Sequence, residues 1–294
     1  MIYIQNNSVL YRKKHMLSPH LRALPKEISS YDILKTLAII FMIVDHLGYY
    51  FFDNEVWFRL IGRFSVPIWF FLVGYASSDK IPFQIWLGAI IVAFSSLVSG
   101  QVLFPLNILF TIMIARHFRS RLILASLRTH ETLWGMFLLL VLTTLPTSVF
   151  FEYGTGVFLI VILGVVARNP DIVPDKLKAT HIKLFAVASI LYYFLWEAIG
   201  HDGINYLQFT IYAAGAAATA LMLYKFEPKT YPNLTKKLPS PLSGLIMLTG
   251  RYTLEFYVLH LLVFRAIAMA LFPEKFAFWD WDIIPAEAAA LFGV

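Results

Sequence analysis

The sequence predicts an all-α polytopic membrane protein, a bundle of about nine or ten transmembrane helices with its N-terminus in the cytoplasm. Two observations carry this. Of 294 residues, 59% are hydrophobic and only 14% are charged, with a mean hydropathy of +0.69. A soluble domain carries roughly 25% charged residues. The second observation is length: apolar runs of about 20 residues recur, and runs of that size can cross a bilayer.

Nine such runs divide the chain: 33–52, 60–78, 82–100, 102–115, 132–150, 154–167, 182–200, 205–224 and 243–271. The fourth and sixth are short, and the ninth is long enough to tilt or break near Gly250. The linkers 116–131 and 168–181 read as cytoplasmic loops. Residues 1–30 form a basic tail holding Arg12, Lys13, Lys14, Arg22 and Lys26, with no apolar core behind it, unlike a cleavable signal. Residues 31–272 form the membrane domain. Residues 273–294 open with Trp279-Asp280-Trp281-Asp282, which suits the headgroup level, and end in a stretch too short to span.

Most of the 24 Lys and Arg fall on alternate loops, among them Lys80, Arg116, Arg119, Arg121, Arg128, Arg168, Lys183, Lys225, Lys229, Lys236 and Lys237. The intervening loops carry acids: Asp53, Glu55, Glu152 and Asp202. That alternation explains the net charge of +6 by the positive-inside rule, without nucleic acid. The absence of cysteine excludes thiolate catalysis and cysteine-ligated zinc.

Ionisable residues inside membrane runs are expensive and mark function. Asp45-His46 sits within the first run. Lys35 lies eleven residues before His46, which returns to within about 20° of the same helix face, about 16 Å away along the axis. Asp32 borders that stripe. Asp45 points about 100° away from His46 and is free to face another helix. His46 suits a general base, since a neutral imidazole takes a proton near pH 7. A packed, hydrogen-bonded histidine is the bland alternative.

In the second run Arg59 and Arg63 are one turn apart and suit an anion, or a headgroup anchor at the interface. Pro67 follows as a kink, and Tyr75 and Ser77 offer hydroxyls near the inner end. The ninth run holds Arg251, Glu255, Tyr257, His260 and Arg265. Arg251 and Glu255 are spaced to neutralise each other. Tyr257 and His260 share a different face.

The stretch Asp32-Ile-Leu-Lys-Thr-Leu-Ala-Ile-Ile-Phe-Met-Ile-Val-Asp-His-Leu-Gly48, followed by Leu60-Ile-Gly-Arg-Phe-Ser-Val-Pro67, resembles the opening of the TraX family. These are bacterial inner-membrane proteins linked to N-acetylation of conjugative pilin. Leu47 stands where isoleucine is usual. Lys35, ten residues and then His46 is also similar to the arginine-ten-histidine spacing of acyltransferase-three and heparan-glucosaminide acetyltransferase proteins. Gly250-Arg-Tyr-Thr-Leu-Glu-Phe-Tyr-Val-Leu-His260 is similar to a late helix of theirs.

The resemblance implies a membrane acetyltransferase moving an acetyl group from acetyl-CoA to an amine or hydroxyl of a protein N-terminus or a cell-envelope glycan. His46 is then the base, and Asp45 orients or charge-stabilises a partner. Arg59, Arg63, Tyr75, Glu255, Tyr257 and His260 face the acceptor. Lys35, Arg251 and the 116–128 arginines take the CoA phosphates. The competing class is a proton-coupled transporter, which also uses intramembrane His, Asp and Arg; a scaffold in which all polar residues pair is the third.

The topology has a direct test. With no native cysteine, a single cysteine at Asn54 should react with an impermeant thiol reagent in intact spheroplasts. Labelling only after lysis would reverse the orientation.

Overall fold

The computed structural model describes residues 26–175, 177–200 and 203–285. The basic tail before residue 26, Lys176, His201, Asp202 and the final nine residues lie outside this set. Among the described residues there are helices and two isolated bridges but no strand. The fold is that of an all-α polytopic membrane protein.

All nine apolar runs become helix. They are α1 Ser30–Phe51, α2 Val56–Gly62 with α3 Ser65–Tyr75, α4 Phe83–Val98, α5 Ile108–Ser126, α6 His130–Ser148, α7 Phe158–Arg168, α8 Ala179–Ile199, α9 Tyr206–Tyr224, and α11 Ser240–Arg251 with α12 Thr253–Leu271. A short α10, Pro232–Lys237, lies in the loop before α11. Six are long and apolar enough to cross a membrane: α1, α2–α3 together, α6, α8, α9 and α12. Helices α4 and α7 are apolar but shorter.

Three departures from the sequence reading have physical causes. Residues 116–131 are not a loop. Helix α5 runs on to Ser126 because Arg116 to Ala125 contains no glycine or proline, and arginines on a helix project into water as readily as from a loop. In the fourth run helix α5 starts at Ile108, not near 102, because Pro105 precedes it and Asn107 caps it by accepting from the Leu109 amide at 3.2 Å. The second run breaks at Arg63–Phe64 rather than at Pro67, which sits in the first turn of α3, where a proline costs no helical hydrogen bond. The ninth run does break near Gly250, at Tyr252.

The bundle has two ends. The basic end holds the start of α1 and the ends of α3, α5, α7 and α9. Helix α1 begins there with a capping box: Ser29 accepts from the Asp32 amide at 3.2 Å and Asp32 accepts from the Ser29 amide at 2.9 Å. Asp32 also faces Arg251, 3.6 Å away, so this acid closes the α1–α11 contact. At the far end, segments 99–107 and 149–157 fold inward as irregular backbone. They satisfy each other: Leu106 donates to Phe150 O at 3.0 Å and accepts from the Glu152 amide at 2.9 Å. Such backbone survives between membrane helices only where it is paired or lines a cavity.

Helices cross closely where small residues meet. Gly74 of α3 and Gly164 of α7 face each other, so that a Cβ on either collides with backbone carbonyls of the partner helix. Gly164→Val should cost about 1–3 kcal/mol, as overpacking does. Gly135 in α6 has open space around it, and Gly135→Ala should gain about 0.5–1 kcal/mol from helix propensity. Thermal melts of the detergent-purified variants should order them Gly135→Ala, wild type, Gly164→Val. An unchanged melt for Gly164→Val would contradict the crossing.

Candidate active site

Two cavities enter the bundle from opposite ends. The far-end cavity, about 420 Å³, is lined by Asp45, His46, Arg59, Arg63, Glu152 and Arg265 among others. The basic-end cavity, about 470 Å³, is lined by Lys35, Tyr75, Ser77, Arg116, Arg168 and largely apolar groups. Tyr257 lines both. The Lys35–His46 stripe is therefore divided: the lysine serves one cavity and the histidine the other.

The two intramembrane histidines meet. His46 Nδ1 lies 2.7 Å from His260 Nε2, the rings stacked with centroids 4.9 Å apart. His260 Nδ1 lies 2.8 Å from the Phe256 carbonyl, which can only accept. So His260 carries its proton on Nδ1 and, when neutral, accepts at Nε2. The 2.7 Å contact then requires His46 to donate from Nδ1. That leaves His46 Nε2 as the basic nitrogen, with no protein partner among the described residues. The hydrogen-bond network thus selects the tautomer, as the partner of a catalytic histidine does.

Asp45 turns away from His46, as its position on the helix predicts. Its Oδ2 accepts from Arg59 Nη1 at 2.7 Å, and its Oδ1 is 4.0 Å from Arg63 Nε. Arg63 Nε is 3.0 Å from Glu197 Oε2 of α8, and its Nη1 donates to Tyr153 at 2.9 Å. Two acids and two bases, each with a largely buried side chain, form a neutral cluster joining α1, α2, the α2–α3 junction and α8. Gly62 permits this, since a Cβ there would strike Asp45. Glu152 stands outside the helices in the 149–157 loop. Burial pushes its carboxyl up to about 7, partly opposed by the Ile108 amide and the nearby Arg63 and Arg265.

The basic-end cavity is cationic. Lys35, Arg116 and Arg168 have no ion-pair partner among the described residues. Arg168 donates to Tyr75 O at 2.7 Å and Arg116 to Ser78 O at 3.1 Å. Arg116 Nε is buried with no acceptor. Arg119 is bound to Asp79 at 2.6 Å and to carbonyls ending α3.

Of the residues predicted from sequence, His46, Asp45, Arg59, Arg63, Tyr257 and His260 converge, and Lys35 and Tyr75 share the other cavity. Arg251 and Glu255 line neither. Arg251 faces Asp32 and hydrogen-bonds Glu27 O at 3.4 Å, while Glu255 is exposed. The two do not form the pair that their spacing allows. Sequence reading overlooked Glu197, Gln101, Tyr153 and the pocket role of Arg168 and Arg265. Glu197 and Arg265 are both charges inside apolar runs, the signal that singled out His46.

The family model for TraX protein matches residues 30–268. The chain belongs to the TraX family. A curated relative is the uncharacterized protein RP591 of Rickettsia prowazekii (strain Madrid E), 28% identical over 142 residues, which is 47% of this chain and 56% of the relative. The match thus spans little more than half of that relative's length. No solved structure matches. The TraX family is linked to pilin acetylation.

The cluster predicts strong coupling. Asp45→Asn leaves Arg59 buried without a carboxylate and should cost about 3–5 kcal/mol. Adding Arg59→Gln should return part of that loss. A double-mutant cycle on thermal stability should give a coupling of about 0.5–3 kcal/mol. Additive losses would contradict the pairing.

Proposed function

We propose that the protein is an acetyltransferase of the bacterial inner membrane, moving an acetyl group from cytosolic acetyl-CoA to an amine or hydroxyl presented at the far end. One observation supports it most: two cavities of different chemistry share Tyr257 in their walls, and the far-end one holds a histidine whose Nε2 has no partner among the described residues. Membership of a family linked to pilin acetylation supports the same chemistry. A protein N-terminus such as pilin, or an envelope glycan, is the acceptor class.

The basic end faces the cytosol, in keeping with its loops. Its cavity suits a CoA thioester. Lys35, Arg116 and Arg168 line it as cations that form no ion pair among the described residues. Guanidinium forks bind phosphate bidentately. The apolar walls accept the pantetheine arm.

At the junction the acceptor nitrogen or oxygen attacks the thioester carbon. Its proton passes to His46 Nε2, the acyl–sulfur bond breaks, and His46 returns that proton from Nε2 to the leaving CoA sulfur, which departs as the thiol. As His46 becomes imidazolium its Nδ1–H stays bonded to neutral His260, which holds the ring in orientation. Asp45 does not touch the ring; with Arg59 and Arg63 it fixes the wall opposite. Tyr257 lines both cavities, and hydrogen-bond donation from its hydroxyl would stabilise charge on the thioester oxygen.

Purified protein incubated with labelled acetyl-CoA tests the reading. Wild type should release or transfer label, and CoA should raise its melting temperature. His46→Gln keeps hydrogen bonding but takes no proton, so it should lose about 10²–10⁴-fold in rate while keeping the CoA shift. Near-normal turnover in His46→Gln would remove the base. No turnover and no CoA shift in wild type, with proton uptake into vesicles instead, would favour a transporter.

A further inference from the structure

Arginines at the far-end cavity divide into two kinds. Arg59 and Arg63 are paired with Asp45 and Glu197. Arg265 of α12, only 7% exposed, forms no ion pair among the described residues. Its partners are neutral. Nε donates to Tyr50 Oη at 2.9 Å and Gln101 Oε1 at 3.1 Å, and Nη1 donates to Val92 O at 2.6 Å and to Ser95 Oγ. Gln101 is itself fixed, donating to Tyr49 Oη at 2.8 Å. Nη2 has no partner among the described residues and is absent from the sealed, unsatisfied atoms, so it faces open space in a cavity that Arg265 lines. Glu152 shares the cavity but forms no ion pair among the described residues, and burial raises its carboxyl against the opposing pull of Arg63 and Arg265.

A buried cation without a counter-charge is costly, and removing a partner from a buried pair is costly for the same reason. Here one side of the guanidinium is clamped and the other presented. We propose that Arg265 is an oxyanion subsite: its Nη2 edge binds a carboxylate or phosphate carried by the acceptor, fixing that molecule beside His46. This deepens the acetyltransferase reading and rests on it for the word acceptor, while the anion site itself stands on the geometry alone. Arg265 is a binding residue for the acceptor, distant in role from the cations of the basic-end cavity.

Gln101→Glu tests it without demanding a fragile variant. The substituted carboxylate is isosteric with the amide, accepts from Arg265 and Tyr50, and can accept from Tyr49 in place of donating. It supplies the missing charge from within. Full-length protein in dodecyl maltoside, a phosphate-free detergent, is compared with and without inorganic phosphate. Gln101→Glu should melt above wild type in the absence of phosphate; melting at or below wild type would overturn the missing counter-charge. Phosphate also reaches the basic-end cavity, so the second readout is local. Hydrogen exchange of the 99–107 backbone should slow with phosphate in wild type and lose that protection in Gln101→Glu.

Phosphatidylglycerol added to the micelles separates the sources. Protection by phosphate assigns a soluble acceptor group, and protection by the lipid alone assigns a headgroup. Protection by neither, or equal protection in both variants, overturns the subsite. The CoA melting shift is recorded on the same samples. If that shift is absent while wild type keeps the anion protection that Gln101→Glu removes, the acetyl-CoA reading falls and the subsite stands.

Discussion

The bundle depends on how charge is neutralised where water is scarce. Asp45, Arg59, Arg63 and Glu197 come from α1, α2, the α2–α3 junction and α8, and their charges sum to zero. Buried charges are tolerated when they are paired and hydrogen-bonded. Gly62 lets α2 approach α1 closely enough for the first pair to form. Because Asp45 is held on that side, His46, one residue on, turns toward α12 and meets His260 at 2.7 Å. The far-end cavity is the space left between these two sets of contacts. Its floor and rim are the inward-folded 99–107 and 149–157 segments, which the same cavity makes tolerable in a membrane.

The two cavities then divide the chemistry. One is cationic with apolar walls and opens at the basic end. The other carries the histidine, the neutral charge cluster and a clamped arginine. The proposed transfer from a phosphate-bearing donor to a separate acceptor would use such a division, with the reacting atoms brought together at one narrow point. Tyr257, which lines both cavities, would mark that point. Proximity of this kind contributes much of an enzyme's rate, since two reactants are oriented before reaction.

Much of this was legible in sequence, for physical reasons. Membrane helices must be apolar over a fixed length, so all nine runs could be read. The helical period placed Asp45 off the His46 face, and the structure has it so. What sequence does not carry is which helix stands opposite which. The stacking of His46 on His260 and the pairing of Asp45 with Arg59 are contacts between helices. So is the pairing of Arg251 with Asp32 rather than with Glu255, four residues on. The break near Gly250 was legible, but that of the second run was not: the chain parts at Arg63–Phe64 and not at the proline. Arg265 and Glu197 were visible as charges in apolar runs, but only their partners reveal that Glu197 is compensated and Arg265 is not.

The central claim is that the two cavities serve two substrates and meet at Tyr257 and His46. An experimental structure with a non-hydrolysable acetyl-CoA analogue bound tests this most directly. The account places its phosphates among Lys35, Arg116 and Arg168, and its acyl end at Tyr257 within reach of His46. Phosphate density in the far-end cavity, or an acyl end pointing away from Tyr257, would contradict it.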